Sequence, residues 1–185
     1  ALLAALMLLS FVGCGASTAT QGADSTTHTI TDLLGREVKI PNEIDKIAAI
    51  AGPTYEMVFM LGSADQVTMV KSGHTDSYPL ANLTNPKLID MDGMAANPSS
   101  TVNIEDYLAK DIDLVVYYDN EIELKKFDAV DMAAIVATKN TGLMDTLEQA
   151  QTQTIDEFVE TLTTPLRILA DAIDTEEAHN EYEAW

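Results

Sequence analysis

The chain is short of positive charge, cysteine and histidine, and each scarcity removes a class of function. Ten Lys and Arg stand against 30 Asp and Glu in 185 residues, a formal net charge of −20. Nucleic acid is a polyanion gripped by Lys and Arg, so no nucleic-acid partner is expected. One cysteine can form no internal disulfide, and zinc sites built on Cys pairs are excluded with it. The histidines are His28, His74 and His179, with no spacing that sets two on one face, so no metal site is expected. Phosphate signatures such as Gly-x-Gly-x-x-Gly or a Walker loop are missing, and no Gly-x-Ser-x-Gly elbow occurs. Ser72, His74 and Asp76 have the residue types of a hydrolytic triad, but residues two apart do not turn into a nucleophile-base-orienter chain. The expectation is a non-enzyme with no catalytic residues and no cofactor. Against these absences, 46% of the chain is hydrophobic, enough for one ordinary core or a core plus an accessory lobe.

The one cysteine gains meaning from its position. Residues 1–13 are uncharged and almost wholly apolar, Cys14 follows, and a small polar run from Gly15 to Gly22 comes next. Thirteen residues rise only about 20 Å as a helix, short of the roughly 30 Å hydrocarbon layer, so a signal-peptide h-region fits better than a membrane span. Val12-Gly13-Cys14 resembles the bacterial lipobox, although Phe11 stands where Leu is usual. That resemblance implies lipidation of Cys14 and attachment of the folded part to the lipid bilayer outside the cytoplasm. The initiator Met and a basic n-region are not in the sequence, so the start reads as clipped.

Residues 14–27, rich in Ser, Thr, Gly and Ala, read as a flexible tether, with the domain expected over 28–150. Thr29 to Asp32 and Glu37 to Ile40 flank Leu34-Gly35-Arg36 as a predicted hairpin. Strands are then predicted at Ile47 to Ala51, Gln66 to Val70, Leu88 to Met91, Leu114 to Tyr118 and Ala133 to Ala137. Helices are predicted at Tyr55 to Leu61, Ile104 to Lys110 and Glu121 to Phe127. Strands alternating with helices need crossovers, and crossovers give a parallel sheet covered on both faces: the class is α/β. Over residues 151–185 the pattern becomes helical. Ile155, Phe158, Val159, Leu162, Leu166, Leu169 and Ile173 form one stripe, and Pro165 is expected to kink the helix or start a new segment capped by Thr164. Another start is expected at Asp174-Thr175-Glu176-Glu177. From Asp145 onward 11 acidic residues are opposed by Arg167 alone, a solvated face or a charged docking surface.

Four segments in register resemble the extracytoplasmic substrate-binding proteins of ABC importers for iron-siderophore, haem and cobalamin. They are Ile30 to Pro41, Lys46 to Glu56, Leu61 to Val67, and Asn103 to Val116 with its Asn-Ile-Glu start. The resemblance implies a parallel-sheet, Rossmann-like lobe of a two-lobed periplasmic-binding-protein fold with a long connecting helix. On that reading residues 151–185 are a truncated inter-lobe segment, and the apolar stripe is exposed wherever its partner surface is missing. The implied function is capture of a small-molecule metal complex or corrinoid and delivery to an ABC permease in the membrane. An extracytoplasmic sensory or docking module built on the same lobe is the alternative.

Ligands of parallel α/β sheets sit beyond the carboxyl ends of the strands. This selects Gly52, Pro53, Thr54 and Tyr55 after the first core strand, where an ordinary strand-to-helix turn is the competing reading. It also selects His74 and Tyr78 in the loop after the second, where His74 either meets ligand or is simply solvated. Tyr118 ends a later strand, where the resemblance implies an aromatic facing the cleft beside the Met94 to Ser100 loop. Tyr117 and Tyr118 take opposite faces if that strand is regular, so at most one belongs to the cleft. The resemblance further implies that Glu105 meets an arginine pocket of the permease, while the same residue also complements the helix dipole.

Overall fold

The computed structural model describes residues 26–51, 54–71, 83, 85–91, 93–94, 102–139 and 151–185. The first two strands, β1 (Thr27–Thr31) and β2 (Glu37–Pro41), form an antiparallel hairpin that pairs Thr27 with Pro41. Gly35 sits at its tip with φ +75°, a conformation that costs a residue without a Cβ little. Five parallel strands follow: β3 (Ile47–Ala49), β4 (Val67–Lys71), β5 (Gly93–Met94), β6 (Leu114–Val116) and β7 (Ala134–Ile135). Their order across the sheet is β5-β4-β3-β6-β7, so the direction of winding reverses between β3 and β6.

Strand side chains alternate between two cores, as a sheet buried on both faces requires. Ile47, Ala49, Leu114, Val116 and Ile135 face one core, whereas Ala48, Ile50, Val115, Tyr117, Ala134 and Val136 face the other. The first core is closed by α1 (Thr54–Met60) and by the long helix α4 (Ile155–Ile173) with α5 (Glu176–Glu183). The second is closed by α2 (Ile104–Ala109) and α3 (Glu121–Asp128). Gly62 ends α1 at φ +76°, a left-handed conformation that favours a residue without a Cβ, and the Glu177 side chain of α5 lies over it, 2.6 Å from where a Cβ would stand.

The exposed edge of β7 is covered by the hairpin turn. Leu33 N–H donates to Val136 C=O (2.9 Å), Arg36 Nη2 to Ala134 C=O (2.9 Å), and Val136 N–H to Asp32 Oδ2 (3.1 Å). Asp32 is buried, and it also accepts from Leu34 N–H, Arg36 N–H and Arg36 Nε, each at 3.0 Å, and from Nη2 at 2.7 Å.

Three local features differ from the sequence reading. Residues Pro86–Asp90 are a 3₁₀ turn, not a strand, because Pro86 opens it and Asn85 Oδ1 accepts from Lys87 N–H (3.3 Å); the strand comes later, at Gly93–Met94. Pro165 neither breaks α4 nor starts a segment. Hydroxyls of Thr161, Thr163 and Thr164 donate to the carbonyls of Glu157 (2.8 Å), Val159 (3.0 Å) and Glu160 (2.7 Å), and the helix runs on past the proline because Leu166, Ile168, Leu169 and Ile173 pack in the first core. The cap is ten residues earlier, where Thr154 and Glu157 form a reciprocal capping box. Finally, β6 stops at Val116, so strict alternation does not extend to Tyr117 and Tyr118.

The long stripe is divided in its burial. Leu166, Leu169 and Ile173 are in the first core, whereas Ile155, Phe158, Val159 and Leu162 are exposed, Ile155 by 81%. α4 therefore docks by its second half and projects by its first. Its end is set by Asp174 in the left-handed conformation (φ 50°), after which Thr175 Oγ1 accepts from Ala178 N–H (3.1 Å) and starts α5. Among the described residues no helix is long and apolar enough to cross a membrane.

Candidate functional site

Reversal of winding between β3 and β6 makes their carboxyl ends the switch point of the sheet, because the chain leaves these adjacent strands toward opposite faces, to α1 over the first core and to α3 over the second. The two strands stay together up to that rim: Ile50 and Ala51 N–H both donate to Val116 C=O, at 3.0 and 3.1 Å. From β3 the chain enters α1 through Thr54, whose hydroxyl donates to Ala51 C=O (2.5 Å) and whose N–H donates to the same carbonyl (3.0 Å). From β6 it runs through Tyr117 and Tyr118 to Asn120, which caps α3 by accepting from Ile122 N–H (3.2 Å) and Glu123 N–H (3.4 Å). Asn120 N–H in turn donates to Tyr118 C=O (2.8 Å), tightening the exit from the strand.

Of the residues expected at the rim, Thr54, Tyr55 and Tyr118 are described, and Gly52, Pro53, His74 and Tyr78 lie outside the described residues. Cys14 also lies outside them, as do residues 95–100 of the expected neighbouring loop. Thr54 is fully buried and shapes the turn through its bonds to Ala51. Tyr55 has no exposed surface either; its ring lies in the first core, 5.9 Å from that of Phe59. Tyr118 is 5% exposed and meets Tyr117 edge-on at 5.7 Å, so both rings pack with the second core despite adjacent positions. Glu105 is exposed in the first turn of α2.

Behind the rim, Tyr107, Phe127 and Tyr117 form an aromatic stack, with centroid separations of 5.1 and 5.5 Å and edge-on geometry. Burial, with the Glu123 carboxylate nearby, pushes the Tyr117 phenol up to about 12. Its hydroxyl finds no hydrogen-bond partner among the described residues. Glu123 is a buried carboxylate of the first α3 turn. Burial alone would raise its pKa, but hydrogen bonds from Lys126 and Val102 N–H, with the Lys126 charge, hold it below the usual carboxylate value. Asn120 was legible as an N-cap from Asn-Glu-Ile-Glu; Glu123 and Lys126 carried only the signal of an i,i+3 charge pair, which solvated helices share.

Among the described residues, two hollows lie away from this rim. One of about 860 Å³ opens at the amino ends of β6 and β7, bordered by Arg36, Val38, Leu108, Asp113 and Met132, at the opposite end of the strands from the switch point. The other, about 480 Å³, brings His28 and His179 to one wall with Arg167, Asp171 and Asp174, a proximity that sequence spacing did not indicate. His28 Nε2 donates to Asp171 C=O (3.1 Å), and His179 Nε2 lies 3.1 Å from Asp174 Oδ1, so these rings join strand, helix and helix. Among the described residues no group of three or more His, Cys, Asp or Glu is arranged to hold a metal ion.

No protein-family model matches the chain, and no curated protein matches it. Solved structures do. A periplasmic solute-binding protein from Veillonella parvula superposes with TM-score 0.64 at 22% identity, over 85% of this chain and 44% of that one. The molybdate-bound periplasmic binding protein MolA of a Haemophilus influenzae ABC transporter gives TM-score 0.68 at 21% identity, over 85% and 48%. Helicobacter pylori CeuE with Ni(II) bound gives TM-score 0.57 at 16% identity, over 83% and 45%. The chain has the fold of periplasmic binding proteins, α/β with a parallel sheet, and spans a little under half the length of these structures.

Proposed function

We propose that this chain forms one lobe of the solute-binding component of an ABC importer, capturing a metal chelate or corrinoid outside the cell and passing it to a membrane permease. The crevice between β3 and β6 carries the reading, because in this fold the switch point is where loops converge on a ligand. Thr54 and Tyr118 are proposed to flank that crevice, Tyr55 to back it from within the first core, and Gly52, Pro53, His74 and Tyr78 to complete the ligand-facing rim. Binding of this kind requires complementary walls and no catalysis.

The projecting half of α4 is proposed to face a second lobe, the counterpart of the remaining length of the matched structures. Phe158, Val159 and Leu162 are the contacts offered to it. Glu105, exposed at the α2 start, is proposed to pair with an arginine of the permease, where carboxylate and guanidinium would form a bidentate bond. Cys14 is proposed as the lipidated anchor. Tyr and Trp fluorescence of the full protein, titrated with ferric siderophores, haem, cobalamin, molybdate and Ni(II), tests the reading. Saturable quenching by one of them, with permease-dependent uptake of the same compound, is expected; no response to any of them overturns it. Replacing Cys14 with Ala should move the protein from the membrane to the soluble fraction.

A further inference from the structure

Asp32 and Glu123 are the buried carboxylates among the described residues. Asp32 is explained by the hairpin turn; Glu123 grips the segment that leads into α2, where Val102 is also packed in the second core. Its Oε2 accepts from Val102 N–H (2.5 Å) and from Lys126 Nζ (2.8 Å), and Lys126 Nζ also reaches Val102 C=O (3.4 Å). One ion pair on α3 thus holds both backbone polar groups of Val102, the residue just before the α2 N-cap.

α2 needs such a hold. It has six residues, far below the length at which a helix is stable alone, and Asn103 at its N-cap makes no side-chain capping bond. A second pin lies at Tyr107, 2% exposed, whose ring meets Phe127 of α3 edge-on at 5.1 Å. Glu105 lies between the two pins and is exposed. We infer that Glu123 and Lys126 are positioning residues that fix the start of α2 and so set the direction in which Glu105 is presented to its partner. The inference rests on the docking role proposed for Glu105. Its physical basis is that a slip of α2 by one residue turns Glu105 by about 100° around the helix axis.

The test uses the full chain, with amide hydrogen exchange, affinity for the permease in nanodiscs, and fluorescence titration with the chelate panel. Glu123→Ala is expected to speed exchange at Val102 and Asp106 by about tenfold, and to weaken permease affinity by a similar factor. Chelate affinity should stay within about twofold, since no pinned residue lies on the crevice. Glu123→Gln, which keeps an oxygen for Val102 N–H, is expected to recover part of both losses, and it serves as the main variant if Glu123→Ala does not fold. Combined with Glu105→Ala, the Glu123 change should add nothing to the permease loss, because a misdirected side chain that is already absent has no further effect. Additive losses, unchanged exchange at Val102 and Asp106, or a parallel fall in chelate affinity each overturn the inference. If Glu105→Ala alone leaves permease affinity intact, the docking reading fails and takes the inference with it. If Glu105→Ala weakens docking while Glu123→Ala does not, only the inference fails.

Discussion

Replacing Asp32 with Ala should be among the most damaging changes in the hairpin, although the residue is far from the crevice. The carboxylate is buried and serves three backbone N–H groups and the Arg36 guanidinium. Removing it strands the buried Val136 N–H, a loss of about 1–3 kcal/mol. Leu34 and Arg36 N–H lie nearer solvent and can turn to water, adding about 0.5 kcal/mol each. The Arg36 side chain is 26% exposed and keeps its bond to Ala134 C=O, so loss of its counter-charge is partly screened and adds roughly 1 kcal/mol. The sum, about 4 kcal/mol, is a large share of the roughly 5–15 kcal/mol that holds a domain folded. For a chain of this size it corresponds to a fall of roughly 10 °C in Tm. Asp32→Asn keeps the two Oδ1 bonds but sets an NH₂ against Val136 N–H and Arg36 Nη2, so about half or more of the loss should remain. Arg36→Ala should cost less, because Asp32 keeps its backbone donors. Urea denaturation followed by circular dichroism, with Tm, measures all three. A Tm for Asp32→Ala within about 3 °C of the parent, or a larger loss for Arg36→Ala, refutes the edge-lock argument.

Three further outcomes follow from the packing. Tyr117→Phe should be neutral or raise stability by up to about 1 kcal/mol in urea denaturation, since it deletes a buried hydroxyl without a partner among the described residues; a loss above about 1 kcal/mol contradicts this. On α4, Leu169→Ala should cost about 2–5 kcal/mol while Phe158→Ser in the same lobe should stay within about 0.5 kcal/mol, and equal losses would mean that both halves of the helix are packed. The backbone and hydroxyl bonds of Thr154 hold the Glu157 carboxyl below the usual value. A lowered pKa stabilises the fold above the unfolded value and loses that contribution as pH falls through the folded one, so the first turn of α4 should fray in acid. Backbone NMR shifts of Ile155 to Val159, followed downward from neutral pH, should move toward coil as Glu157 protonates, and by less in Thr154→Ala, which keeps only the backbone N–H bond to that carboxylate.

Local chemistry made much of the architecture legible. Turn residues around Gly35, the α1 stop at Gly62 and the cap at Thr175 announced their elements, because each acts through its own backbone within a few residues. Apolar runs at Ile47, Leu114 and Ala133 marked strands buried on both sides, and their alternation with helices implied parallel pairing. One segment was misread where a short-range competitor was strong. Pro86 with Asn85 took Leu88 into a 3₁₀ turn; at Pro165 the local signal lost instead, to the packing of Leu166, Leu169 and Ile173 in the first core.

What composition and spacing determined by themselves was the net charge of −20, the α/β class and the positions of most elements, the last two because they depend on residues close in sequence. Tertiary structure alone decided the strand order that puts the switch point between β3 and β6, and the inward packing of both Tyr117 and Tyr118. It alone set Asp32 under Val136 and drew Glu123 onto Val102, pairs separated by 104 and 21 residues. Such contacts depend on which surfaces meet after the chain has crossed the sheet, and a carboxylate that will be buried reads in the sequence the same as one that will stay in water.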